Sequence, residues 1–183
     1  GISNSKTMYF EAEGIDLNHW QTRIVEERPL DYEQFIAAVK AYNFRNSIFI
    51  DITDSETVAS LYHEFLQRNI AVVTCNKIAC ASEYSNYRYL KNLSRKYNAP
   101  FLFETNVGAG LPIIDTLKNL VASGDQVHEI QAVLSGSLNF IFNHYDGQSE
   151  FVEVVKQAGV EGYTEPDPKI DLSGVDVMRK ILI

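Results

Sequence analysis

The chain alternates short apolar segments with segments of helical spacing, and this alternation restricts its fold more than any other feature. The strand-like segments are residues 47–52, 70–74 and 101–104. Helical spacing of apolar residues is found in residues 31–44, 54–68 and 82–97. The segment 70–74 (IAVVT) is apolar throughout, as expected for a strand buried on both faces. Strands that alternate with helices form parallel sheets with right-handed crossovers, so the sequence predicts a doubly wound α/β fold.

The pattern changes after the Gly-Ala-Gly segment at 108–110, and a domain boundary is expected there. The predicted domains are residues 1–106 and 107–183. In the second domain we expect helices at 111–122, 138–144 and 149–158, a half-buried strand at 126–134, a loop at 159–168 and a helix from about 172. Residues 1–3 resemble the end of a strand, and residues 181–183 continue a helical pattern without a capping signal. The chain is therefore expected to be an interior portion of a two-domain protein.

Charge and cysteine content restrict the partners of this chain. Its 24 acidic and 16 basic residues give a net charge of −8, whereas binding to nucleic acid or anionic membranes needs an excess of Lys and Arg. No stretch approaches the 18 apolar residues of a membrane span. Cys75 and Cys80 are too few for a disulfide framework or a zinc site. We expect a cytoplasmic protein without nucleic-acid or membrane partners.

The densest group of chemically active residues lies in residues 162–180. A loop with two prolines presents the carboxylates of Glu165, Asp167 and Asp171, and Asp176 and Lys180 share one face of the helix that follows. Such carboxylates can bind the ammonium group of an amino-acid substrate while Lys180 transfers a proton. The alternative is that Asp176 and Lys180 form an ordinary surface pair and that the acids cap a helix.

Three other features have a functional and a structural interpretation. Lys77 follows the strand 70–74 at the edge where nucleotide folds bind ligands, but it is equally typical of a solvated loop. The glycines at 108 and 110 permit backbone carbonyls near Glu104 to hold a hard cation, or simply form a turn between domains. Ser135 and Ser137 lack a nucleophile-elbow pattern and are interpreted as turn and helix-capping residues.

Several of these segments together resemble a known family. They are FETNVGAGLPII at 103–114, VLSGSLNFIF at 133–142, GYTEPDPKIDLSGVDVMRK at 162–180 and VVTCNK at 72–77. They resemble homoserine dehydrogenase, and residues 1–6 and 14–20 are most similar to the dehydrogenase part of bifunctional aspartokinase/homoserine dehydrogenases. The resemblance implies a partial Rossmann-like domain followed by the start of an α+β catalytic and dimerisation domain.

The resemblance also implies an activity and its partners. The family interconverts L-aspartate 4-semialdehyde and L-homoserine with NADP or NAD, a step toward threonine, methionine and isoleucine. A homo-oligomer, possible fusion to an aspartokinase domain and a bound sodium ion are implied as well. Ser5 and Lys6 lie where dinucleotide folds contact the ribose, and a basic residue there favours NADP.

Roles for individual residues follow from the same resemblance. Lys180 and Lys77 match the catalytic lysines, with Lys180 as the acid/base group. The matching substrate-binding acids are Glu165, Asp176 and Asp171. The matching cofactor-binding residues are Thr53, Thr74, Asn76, Lys77 and Gly162. The positions whose backbone carbonyls hold sodium are Glu104, Val107, Ala109 and Leu111.

Two departures from the family pattern limit these expectations. Ile170 stands where relatives often carry a further acid, and the Gly-rich turn that binds the pyrophosphate is missing along with the first strand. The isolated chain is therefore expected to be inactive. The alternatives are an inert or dimerising module, or a related two-domain dehydrogenase of another small amino-acid aldehyde.

Overall fold

The computed structural model of the protein describes residues 1–26, 28–164 and 166–183. The chain divides into two compact units, Gly1–Ser47 and Ile48–Ile183. The predicted boundary between residues 106 and 107 stays a prediction.

The first unit is built on a short hairpin. Strands β1 (Ile2–Ser3) and β2 (Met8–Tyr9) pair antiparallel, and helices α1 (Trp20–Glu26) and α2 (Tyr32–Tyr42) follow. Asp31 begins α2, because its carboxylate accepts a hydrogen bond from the backbone N–H of Gln34. Ile2 and Ser3 thus belong to a strand, but this strand opens a hairpin, whereas residues 1–3 were expected to end a strand.

The second unit contains the parallel sheet. Strands β3 (Ile48–Asp51), β4 (Ala71–Thr74) and β5 (Phe101–Leu102) are neighbours in that order, with Asp51 beside Thr74 and Val72 beside Phe101. The connections contain α3 (Glu56–Ser60), α4 (Tyr62–Leu66) and α5 (Tyr84–Lys96). The α/β prediction is confirmed. The predicted single helix at 54–68 is two short helices that meet at Leu61.

One face of the sheet carries most of the core of the second unit. Tyr62, Phe65 and Leu66 are fully buried, and the ring of Phe65 stacks on Phe49 with centroids 4.0 Å apart. On the opposite face, large apolar side chains of β3 and β5 are exposed: Ile48, Ile50 and Leu102. The prediction that β4 is buried on both faces is wrong in part, because Val72 and Thr74 are buried while Ala71 and Val73 are only half-buried.

The remaining elements are helices. They are α6 (Ile113–Ala122), α7 (Gly136–His144), α8 (Phe151–Val160), α9 (Pro168–Leu172) and α10 (Val175–Leu182). Helices α7 and α8 pack through a second apolar cluster: Phe140, Ile141, Val154, Val155 and Ala158. Among the described residues, no helix has the length and apolar character needed to cross a bilayer.

The predicted strand at 126–134 is wrong. These residues form neither helix nor strand, and the side chains of residues 126–133 are exposed. A strand is stable only when a neighbour completes its backbone hydrogen bonds, and among the described residues none pairs with this segment. The alternation of apolar and polar residues in 126–134 indicates one face suited to burial, but it does not show that a neighbouring strand is there to pair with.

Candidate active site

Two lysines and one carboxylate meet at the centre of the candidate site. Lys180 Nζ lies 2.7 Å from Asp176 Oδ2, and Lys77 Nζ lies 3.1 Å from Asp176 Oδ1. Lys180 and Asp176 come from α10, whereas Lys77 comes from the loop after β4. Each carboxylate oxygen of Asp176 therefore contacts its own ammonium group. An ordinary surface pair of Asp176 and Lys180 alone would not explain the contact with Lys77.

The ammonium group of Lys180 has a second acceptor. Its Nζ donates to the backbone carbonyl of Leu134 at 2.6 Å, and its side chain is only 19% exposed. Lys77 is 29% exposed and Asp176 is 52% exposed. Lys180 is thus the most enclosed and the most tightly held group of the three.

The charge on Asp176 is set by competing effects. Partial burial disfavours the ionised form, but the hydrogen bonds from Lys180 and Lys77 outweigh it and hold the pKa of the Asp176 carboxyl below its usual value. Asp176 is therefore ionised at neutral pH and keeps two cationic groups beside each other.

The acids of residues 162–180 have different roles. Asp167 begins α9 by accepting from the N–H of Lys169, so the capping interpretation is correct for this residue. Asp171 accepts from the hydroxyl of Ser137 at 2.8 Å. Glu165 lies outside the described residues, and Gly162 lies in the exposed turn after α8 with a φ of 79°.

Ser135 and Ser137 link this acid to the start of α7. Ser135 accepts from the N–H of Leu138, which confirms it as a capping residue. The two hydroxyl oxygens are 2.9 Å apart, and Ser137 is buried. The bond from Ser137 to Asp171 spans 34 positions, so no local spacing could have indicated it.

The predicted cofactor residues Thr74 and Asn76 belong to a buried polar network at the carboxyl ends of β3 and β4. Its centre is Asp51, whose Oδ1 accepts from Thr53 N at 2.8 Å and whose Oδ2 accepts from Tyr62 at 2.6 Å and Asn76 at 3.1 Å. Burial, followed by the bond to Asp51, raises the pKa of Tyr62, so its hydroxyl keeps its proton. Sequence reasoning missed Asp51 and Tyr62.

A cavity of about 340 Å³ adjoins this network at the carboxyl ends of the three strands. Its wall includes Thr74, Cys75, Glu104 and Thr105. Ligands of parallel α/β sheets bind at this edge, and the volume is at the lower end of the range for small-molecule sites. Of the predicted cofactor residues, Thr74 lines this cavity, so cofactor binding at this edge of the sheet stays a prediction.

The predicted sodium segment forms a tight turn before α6. The Glu104 carboxylate accepts from the N–H groups of Ile114 and Asp115, both at 2.8 Å, and so begins that helix. Gly108 has a φ of 78°, and a Cβ there would lie 2.7 Å from the Ile113 side chain, which only glycine avoids. The predicted carbonyl ligands Val107, Ala109 and Leu111 lie in this turn.

An unpartnered acceptor lies in the same segment. Asn106 Oδ1 is buried and has no hydrogen-bond partner among the described residues. A buried oxygen needs a donor or a cation, so this observation fits a neutral oxygen site for a hard cation. No group of three His, Cys, Asp or Glu side chains that could hold a metal is found in the described part of the chain.

Comparison with protein families matches nearly the whole chain. Residues 14–104 match the model described as "Homoserine dehydrogenase, NAD binding domain", and residues 112–183 match the model described as "Homoserine dehydrogenase".

Curated relatives match over the full length of this chain. The chain is 42% identical to bifunctional aspartokinase/homoserine dehydrogenase 1, chloroplastic, of Arabidopsis thaliana, and 40% identical to the bifunctional aspartokinase/homoserine dehydrogenase of Haemophilus influenzae. Both alignments cover 100% of this chain but only 20% and 22% of the relatives. The chain thus spans about a fifth of their length.

Solved structures share the fold. A Candida auris protein of unknown function is 33% identical, with a TM-score of 0.83 over 97% of this chain and 51% of its own. A hyperthermophilic archaeal homoserine dehydrogenase in complex with NADPH is 31% identical, with a TM-score of 0.72 over 86% of this chain and 46% of its own. The sheet, its crossovers and the helices around them are therefore arranged as in these proteins.

Proposed function

Since the chain belongs to the homoserine dehydrogenase family, we propose that it is part of an enzyme that interconverts L-aspartate 4-semialdehyde and L-homoserine with NADPH or NADH. The observation that carries this proposal is the Asp176 carboxylate bridging the ammonium groups of Lys77 and Lys180. The step belongs to amino-acid biosynthesis, on the branch toward threonine and methionine.

Lys180 is the proton donor in this proposal. Reduction of the aldehyde adds a hydride to carbon and a proton to oxygen, and the nicotinamide supplies the hydride when it is bound. Lys180 Nζ gives up the proton to the forming alkoxide. Its hydrogen bonds to Asp176 and to the Leu134 carbonyl fix the orientation of the ammonium group. In the reverse reaction the neutral amine accepts the proton from homoserine.

The acids bind the amino group of the substrate. Asp176 is half exposed and ionised, so one of its oxygens can accept from a substrate ammonium group. Asp171, which accepts a hydrogen bond from Ser137, is proposed as a supporting acid beside the substrate. Glu165 is proposed as a further ligand of the ammonium group.

Cofactor binding is assigned to the carboxyl ends of β3 and β4. The proposed contacts there are Thr53, Thr74, Asn76 and Lys77, and Gly162 in the turn after α8 is proposed as a further contact. The named NADPH complex of the archaeal homoserine dehydrogenase supports NADP as one cofactor of the family. A sodium ion is proposed at the carbonyls of Glu104, Val107, Ala109 and Leu111, next to the unpartnered Asn106 oxygen.

The curated relatives named above are fused to an aspartokinase. We extend this fusion and a homo-oligomeric state to the present protein as proposals. A cytoplasmic location also stays a proposal, since plant relatives are named as chloroplastic.

The substrate proposal predicts a strong preference for an amino group. In an active form of the enzyme that contains this chain, succinate semialdehyde is expected to have a kcat/KM about 100-fold below that of aspartate 4-semialdehyde. The reason is that each charged hydrogen bond contributes about 1.5–3 kcal/mol. The measurement is the loss of NADPH absorbance with each aldehyde. Equal values would exclude acids as ligands of the amino group.

The alternative of a non-catalytic module is favoured by one observation. The sequence lacks a Gly-rich turn between a strand and a helix of the kind that binds a pyrophosphate, and Ile2–Ser3 and Met8–Tyr9 form a hairpin instead. We therefore expect the 183-residue chain alone to bind NADPH much more weakly than an active form that contains it. Calorimetric titration of both proteins measures this difference, and equal affinity would contradict it.

A further inference from the structure

The backbone on both sides of Lys77 is held by hydrogen bonds. The carbonyl of Asn76, which belongs to the peptide joining it to Lys77, accepts from Asn106 Nδ2 at 2.9 Å. The carbonyl of Lys77 accepts from Ala81 N at 2.9 Å. The N–H of Ile78 donates to Asn76 Oδ1 at 2.9 Å. The position of the Lys77 Cα is therefore determined by its neighbours rather than by its own side chain.

The side chain of Asn76 connects this loop to the sheet. Its Nδ2 donates to the backbone carbonyl of Ser55 at 3.0 Å and to Asp51 Oδ2 at 3.1 Å. The same oxygen of Asp51 accepts from the Tyr62 hydroxyl at 2.6 Å. Tyr62 also lies 2.7 Å from Thr74 Oγ1, which accepts from Asn76 N at 2.9 Å. A continuous series of bonds thus runs from Tyr62 to the residue before Lys77.

A carboxylate at the centre of this network needs an explanation beyond stability. Asp51 is 1% exposed, and among the described residues it forms no ion pair with Lys or Arg. Burial of a charge without an ionic partner is costly. Well-packed apolar residues in its place often give a protein equal or greater stability. An anion does provide two acceptor oxygens, which here join three donors: Thr53 N, Tyr62 and Asn76.

We propose that Tyr62 and Asp51 are positioning residues that act through Asn76 to hold Lys77 against Asp176. They do not touch the substrate, and the inference rests on the active-site role of Lys77 proposed above. A lysine side chain has many rotamers, so a fixed Cα position narrows the volume that its Nζ explores. The 3.1 Å contact between Lys77 and Asp176 depends on that restriction, because its two residues lie on different elements.

The test uses Tyr62→Phe, which removes one hydroxyl and keeps the ring. The 183-residue protein is labelled with ¹³C, and the carboxyl pKa of Asp176 is measured by NMR titration. Lys77→Met provides the reference without the Lys77 contact, and its Asp176 pKa is expected above the wild-type value. Tyr62→Phe is expected to shift the Asp176 pKa upward from the wild-type value toward that reference.

Two further variants separate positioning from a general loss of stability. Phe65→Leu weakens the same core without removing a polar bond, and its Asp176 pKa is expected to equal that of the wild type. Asn106→Ala removes the bond to the Asn76 carbonyl and is expected to shift the pKa upward as Tyr62→Phe does, which keeps the test available if Tyr62→Phe does not fold.

A wild-type Asp176 pKa in folded Tyr62→Phe, or in folded Asn106→Ala if Tyr62→Phe does not fold, overturns the proposal. An equal upward shift in Phe65→Leu overturns it as well, and so does the absence of a shift in Lys77→Met. The titration needs neither cofactor nor turnover, so failure of the proposed enzyme activity would be seen separately in the NADPH assay.

Discussion

Replacement of Lys180 by alanine is expected to lower kcat at least about 100-fold in an active form of the enzyme that contains this chain, because a positioned acid/base group contributes roughly 10²–10⁴-fold. Lys180 is the more enclosed of the two lysines at the candidate site, and its Nζ is hydrogen-bonded to Asp176 and to the Leu134 carbonyl. Steady-state rates with aspartate 4-semialdehyde and NADPH measure the loss. NADPH binding is expected to be retained.

A second substitution separates proton transfer from ion pairing. Lys180→Arg keeps the positive charge beside Asp176, but a guanidinium does not give up its proton in proteins. We expect its kcat to fall nearly as far as that of Lys180→Ala. The matched control is Lys169→Ala, a lysine of α9 outside the Asp176 cluster, which is expected to retain kcat. Near-normal kcat in Lys180→Ala would contradict the assigned role.

Asp51→Ala is expected to lower the free energy of unfolding by about 3 kcal/mol, because it leaves buried donors without their acceptor at about 1–3 kcal/mol each. The buried donors are the Tyr62 hydroxyl and Asn76 Nδ2, and the part-buried Thr53 N loses its acceptor as well. Tyr62 and Asn76 keep second partners in Thr74 and the Ser55 carbonyl, which limits the loss. Urea unfolding of the 183-residue chain measures the difference.

The control for this measurement is Asp54→Ala. Asp54 lies three residues further along and is exposed, so its loss is expected to change the free energy of unfolding by at most about 0.5 kcal/mol. An effect of Asp51→Ala no larger than that of Asp54→Ala would show that the buried network contributes little to stability.

Much of the second unit could be predicted because its signals are local. Short β-prone segments indicated β3, β4 and β5, and the side-chain oxygen of Ser135 indicated the start of α7. The predicted strand at 126–134 failed because pairing is a non-local property. The burial of β4 was overestimated for the same reason, since an apolar segment cannot show what covers each face.

The candidate site was predicted in part. Lys180 and Asp176 lie four positions apart, so helical spacing alone brought them together. The addition of Lys77, about a hundred positions earlier in the chain, follows from the fold. Asp51, Tyr62 and Ser137 were missed because each acts through a partner that is distant in sequence.

The sequence by itself determined the alternation of helices and strands from α2 to β5, the family and the charged residues of the candidate site. These depend on local periodicity, capping and motifs that need no knowledge of distant contacts. Only the tertiary structure decided that one carboxylate holds both lysines and that a buried tyrosine and aspartate anchor the loop of one of them. Such contacts depend on distances of about 3 Å between residues far apart in the chain, and those distances exist only after parallel strands place their carboxyl ends at one edge of the sheet.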